Sequence, residues 1–145
     1  MNVHNNSNDL GDIIFDHIAH AVPNIEDAII QYKNTFGIHA SEVMTIEKQK
    51  IKMAIISIGN VKIELMEPLD DSSPIAKFLD KNPKGGLHHY CISVEDINEA
   101  YKIQKNNNVN ILSTQSKGYH GRDLYFIHPN QVCGALIEVE AMKKE

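Results

Sequence analysis

The chain has 145 residues, 42% of them hydrophobic, enough for one domain with a core of ordinary size. Its formal net charge of −5 and lack of a basic stripe argue against a nucleic-acid partner, and no apolar run approaches the roughly 18 residues of a membrane span. Cys91 and Cys133 are far apart and lack C-x-x-C spacing, which suits reduced thiols in a cytoplasmic protein.

Residues 1–14 are polar and Asn-rich, without a charged or apolar leader pattern, and are expected to be a flexible tail. A strand is predicted over 15–22 and ends at Pro23, which cannot donate to a ladder. Asn24 is placed to cap a helix in which Ile25, Ala28, Ile29 and Tyr32 recur at helical spacing, and Gly37 closes it. Strands are expected over 39–47, 51–58 and 61–67, the last two joined by the Gly59-Asn60 turn. Ser73-Pro74 opens a short linker helix over 74–80, which Asn82-Pro83 stops.

The second half repeats the order. A strand runs from the glycines at 85 and 86 to Val94, and Asp96 caps a helix carrying Ile97, Ala100, Tyr101 and Gln104 on one side. The Asn run at 106–108 ends that helix, and strands follow at 109–114, 122–127 and 135–140. The chain therefore divides into a β-α-β-β-β module at about 15–68, a linker at 69–84 and a second such module at about 85–141. Together they form a single domain over 15–145.

Each module carries a His in its first strand and a Glu in its last. His17 to His89 is nearly the same sequence distance as Glu64 to Glu138. Strand alternation puts His17 with Phe15, Ala19 and Ala21, and His89 with Leu87, Cys91 and Ser93. It puts Glu64 with Lys62 and Met66, and Glu138 with Leu136 and Glu140. The opposite faces (Ile18 and Val22, Ile63 and Leu65, Ile92 and Val94, Ile137 and Val139) suit packing under a helix. A lone His or Glu in an apolar strand is commonly a satisfied half-buried polar group. Four at matched positions instead suggest a divalent metal's ligands, because an unpaired carboxylate is costly to bury.

FDHIAHAVPNIEDA, KIELMEPLDDSSPIAKFLDKN followed by GGLHHYCISVEDI, and GYHGRDLYFIHPNQVCGALIEVE resemble the methylmalonyl-CoA epimerase family of the vicinal oxygen chelate (glyoxalase) superfamily, from about Phe15 to Glu140. The resemblance implies an α+β fold in which two paired βαβββ modules form a curved mixed sheet around a metal cleft. It also implies a homodimer and one divalent metal per site, commonly cobalt, with zinc, manganese or nickel as alternatives. The family's metal ligands match His17, Glu64, His89 and Glu138, and Glu64 stands where some members carry Gln.

The implied reaction moves the proton between a thioester and a carboxylate of a CoA ester through an enolate, with two bases flanking the carbon. Glu138 is one expected catalytic residue. Some relatives place the second base on the third strand of the first module, where this chain has Met53, so Glu64 becomes the candidate by symmetry. Lys77, beside Lys81 and Lys84, and the loop residues His120 and Arg122 are the candidate substrate contacts. His20 reads as a partly buried core residue, His88 as a packed one, and Cys91 as a small wall of the cleft. The competing readings are a glyoxalase I type lyase acting on a glutathione hemithioacetal, a two-His-one-carboxylate iron dioxygenase, and a metal-free small-molecule binder of the same superfamily.

Overall fold

A computed structural model describes residues 9–144. The described residues form two compact units, one spanning Asp16–Tyr90 and the other made of residues 9–15 and 91–144. Most of the expected tail, residues 1–8, lies outside the described residues.

The first unit contains β1 (Ile13–Ala21, from Asp16 on), α1 (Ile25–Phe36), β2 (Met44–Ile46), β3 (Ile51–Ile58), β4 (Val61–Pro68), α2 (Ala76–Lys81) and the start of β5 (Gly86–Val94). Its strands lie in the order β2-β3-β4-β1-β5. β4 pairs antiparallel with β3 and parallel with β1, which sets Ala19 beside Glu64. The expected chemistry closes both ends of α1. The Asn24 side chain accepts from Asp27 N at 2.9 Å, and Gly37, at φ 71°, returns its N–H to Lys33 O. The helix is further seated by Glu67, whose Oε1 accepts from Ile25 N at 2.9 Å.

Both faces of this sheet are covered. Under α1, Val22, Ile25, Ala28, Ala54, Ile56 and Leu65 form one core. On the other face Ala19, Ala21, Ile51, Met53 and Met66 pack with Ile75, and Phe78 and Leu79 of α2 close over them. Gly85 makes the entry of β5 possible. At φ 97°, a Cβ there would stand 2.9 Å from the Ala21 carbonyl oxygen, so only glycine lets the two backbones approach this closely.

The second unit takes the end of β5 with α3 (Ile97–Asn106), β6 (Ser116–Lys117), β7 (Asp123–Ile127) and β8 (Ile137–Ala141), the strands in the order β5-β8-β7-β6. Asp96 caps α3 by accepting from Glu99 N at 3.0 Å. Asn108 ends it in the left-handed region at φ 59°, a conformation asparagine tolerates. The buried Tyr125 hydroxyl donates to Gln104 Oε1 at 2.6 Å, and burial pushes its phenol pKa well up.

Two strands are much shorter than their hydrophobic patterns suggest, and two other elements start elsewhere than expected. Of 39–47 only Met44–Ile46 pairs as a strand, because the Ser41 hydroxyl accepts the Ile55 N–H at 2.8 Å and so diverts the ladder. Of 109–114 a single bridge remains, Ile111 to Ile127, and the β6 strand forms later, at Ser116–Lys117. The linker helix starts at Ala76, after a turn in which Ala76 N donates to Ser73 O, so Pro74 precedes the helix and does not open it. β1 begins at Ile13, two residues before the expected start.

Candidate metal centre

Three of the four expected ligands meet in the first unit. β1 carries His17, which is 3% exposed. The parallel neighbour β4 carries Glu64, whose Oε2 lies 3.2 Å from His17 Nε2. β5 carries His89, whose ring stands edge-on to His17 with centroids 5.6 Å apart. The strands determine this grouping. β1 and β4 run parallel, so their side chains rise on one face near one level, and Gly85 lets β5 begin close to the end of β1.

The tautomer of His17 is set from its other nitrogen. His17 Nδ1 lies 2.7 Å from Asp16 Oδ2, so Nδ1 carries the proton and donates, and Nε2 keeps its lone pair in the neutral ring. That lone pair faces a carboxylate oxygen. Two acceptors at 3.2 Å are held together by a shared cation, either a proton or a metal ion. Two imidazoles and a carboxylate are also a donor set that suits a first-row divalent ion, so these residues fit the metal the resemblance implies.

Glu138 lies in the second unit, buried on β8. The Sγ of Cys91 and carboxylate oxygens of Glu138 and Glu140 fall within 4.8 Å of one another. Alternation along β8 explains the pair of acids, since residues 138 and 140 share the face opposite Ile137 and Val139. Glu140 is neutralised locally. His120 Nε2 stands 2.8 Å from its Oε2 and Arg122 Nη2 3.2 Å from its Oε1, while Arg122 Nη1 donates to the Ala141 carbonyl. His120 Nδ1 accepts the Arg122 N–H at 3.1 Å, so the loop 118–122 is fastened to β8 through one buried carboxylate. The two loop residues expected to touch substrate thus direct their polar ends to Glu140.

The remaining candidates fall as follows. Lys77, Lys81 and Lys84 are exposed along and just after α2. Met53 is buried to 1% in the apolar layer beneath α2, directly across from Met66. His20 bonds the Tyr32 hydroxyl at 2.8 Å on the α1 face, and burial lowers its pKa. His128 caps the turn at Pro129 by accepting from Asn130 N. Cys91 is buried and Cys133 exposed, and no disulfide joins them. Reasoning from sequence assigned no role to Asp16, which bonds His17 Nδ1, or to Glu140, which holds His120 and Arg122. Glu140 carries a signal, the alternation of IEVE, which sets it on the face of Glu138.

A family model, the Glyoxalase/Bleomycin resistance protein/Dioxygenase superfamily, matches residues 16–126. The mitochondrial methylmalonyl-CoA epimerase of Dictyostelium discoideum is 41% identical over 125 residues, covering 86% of this chain and 75% of that protein. The chain belongs to the methylmalonyl-CoA epimerase family. The ethylmalonyl-CoA/methylmalonyl-CoA epimerase of Cereibacter sphaeroides is 40% identical over 126 residues, 86% of this chain and 94% of that one. Among solved structures, the methylmalonyl-CoA epimerase of Mycobacterium tuberculosis superimposes with a TM-score of 0.78 at 30% identity, over 90% of this chain and 88% of that chain. The fold is therefore the α+β vicinal oxygen chelate fold. Membership makes the chain an isomerase of the epimerase type. Among the described residues no helix is long and apolar enough to cross a membrane.

Proposed function

We propose that the chain interconverts (2R)- and (2S)-methylmalonyl-CoA with the help of one divalent metal ion. The observation that carries this reading is the grouping of His17, Glu64 and His89 on adjacent strands of the epimerase-family module. Glu138 completes the ligand set from β8. A metal ion bound there supplies Lewis-acid stabilisation of the negative charge that develops when the α-proton leaves. Cobalt is the expected ion, with zinc, manganese or nickel able to occupy the same donors.

The protein's own residues do the rest. Glu138 removes or returns the proton on one face of the carbon, and Glu64 serves the other face, since the apolar Met53 cannot carry a proton. Lys77 meets the CoA phosphates as an exposed point charge. His120 and Arg122 serve the substrate through the loop they pin to Glu140. The enzyme works as a cytoplasmic homodimer.

The test is incubation of the metal-loaded protein with (2R)-methylmalonyl-CoA in D₂O, following α-deuterium and stereochemistry, with the methylglyoxal–glutathione hemithioacetal in parallel. Exchange with racemisation of the CoA ester alone is expected. Turnover of the hemithioacetal alone overturns the assignment.

A further inference from the structure

Both ligand imidazoles of the first unit are engaged at Nδ1, and in both cases by the residue immediately before them. His17 Nδ1 lies 2.7 Å from Asp16 Oδ2, and His89 Nδ1 lies 2.8 Å from His88 Nδ1. The two dipeptides occupy equivalent places in the two modules, each inside the first strand. An ordinary strand sends residues i−1 and i to opposite faces, so neither contact follows from regular geometry. Asp16 and His88 are also half-buried, where a polar side chain is held in one orientation more firmly than on an open surface.

The consequence concerns which nitrogen faces the ion. A histidine ligand binds a metal through one nitrogen only while the other carries the proton, and the partner of that proton orients the ring. Asp16 accepts a proton from His17 Nδ1 and leaves Nε2 aimed at Glu64 Oε2. His88 can do the same for His89 if its own Nδ1 is the acceptor and its proton sits on Nε2. The rotamer of His88 is braced for this. Its ring stands edge-on to Phe78 of α2, with centroids 5.1 Å apart and planes at 84°. Gly86 lies under that same Phe78, and a Cβ there would come within 3.3 Å of the ring.

We infer that Asp16 and His88 are a matched pair of positioning residues, each fixing its following histidine as the Nδ1–H tautomer so that both rings coordinate through Nε2. The pair is chemically unequal. The carboxylate of Asp16 raises electron density on His17 more than a neutral imidazole does on His89, so His17 is the stronger of the two donors. Neither residue touches the ion or the substrate.

This inference rests on the metal site proposed above, and its test reads something other than turnover. Asp16→Ala and His88→Ala should each weaken Co²⁺ binding about 10- to 100-fold in a competition titration, the range typical of lost outer partners. Asp16→Asn and His88→Asn, which keep an acceptor, should recover most of that loss. At saturating metal, KM for the CoA ester should be unchanged. In the Zn²⁺-loaded wild-type protein, long-range ¹H–¹⁵N correlation should find His17 and His89 both as Nδ1–H. Either ring found as Nε2–H, or an alanine variant binding Co²⁺ as tightly as wild type, overturns the inference. Loss of the epimerase assignment would show instead as failure of α-deuterium exchange with these metal affinities intact.

Discussion

Glu64 is proposed for two roles, metal ligand and base, and one substitution separates them. Its carboxylate lies against His17 Nε2, with Oε2 at 3.2 Å. Glu64→Gln keeps an oxygen for the ion and removes the group that accepts a proton. Metal content should therefore stay near wild type while turnover falls about 10²- to 10⁴-fold, the usual worth of a general base. Exchange into D₂O started from each enantiomer separately should show the loss on one hand first. Wild-type exchange from both hands would remove Glu64 from the chemistry and leave it a ligand alone. The nearness of His17, Glu64 and His89 was legible in the sequence, because a polar group inside an apolar strand needs a reason to be there and two repeats carry it at matched positions. Asp16 and His88 were not legible. Strand alternation assigns a ligand's neighbour to the far face, and only the observed rotamers bring these two side chains round to Nδ1.

At the scale of elements, the site depends on how β5 enters beside β1, and Gly85 controls that entry. Its φ is 97°, and any Cβ at this position would lie 2.9 Å from the Ala21 carbonyl oxygen, which leaves no room for a side chain. Gly85→Ala combines left-handed strain with a backbone clash, so a cost of about 1–3 kcal/mol is expected, read as a lower denaturant midpoint with unchanged m-value. Because relief must come from moving β5, Co²⁺ affinity should fall in the same variant. A stability loss with metal affinity unaltered would mean that the strain is absorbed in the loop before the strand. The helices were the most legible elements, since Asn24, Gly37 and Asp96 act as caps where the pattern places them. The edge strands were the least legible. β2 is cut short by the Ser41 hydroxyl and the run at 109–114 keeps one bridge, both decided by tertiary hydrogen bonds that hydrophobic alternation does not encode.

At the scale of the molecule, the proposed ligand set distributes its donors unequally: His17, Glu64 and His89 belong to one compact unit and Glu138 to the other. The proposed metal stabilises the folded chain as well as serving the chemistry, and its contribution to stability follows from mass action. A ligand at about 100 times its Kd that binds only the folded state adds roughly 2.7 kcal/mol. Chelation should accordingly lower the melting temperature of the loaded protein, and re-addition of Co²⁺ should restore it. The variants then apportion the effect. His17→Ala removes a buried ligand from the three-donor group and should abolish the metal-induced rise altogether. Glu138→Ala leaves that group whole, so a smaller rise should persist, reached only at higher metal concentration. The comparison is made between each variant's metal-free and metal-loaded melts, which cancels the cost of the substitution itself. A Glu138→Ala protein whose metal-induced rise matches wild type would place Glu138 outside the coordination shell and leave it the role of base alone.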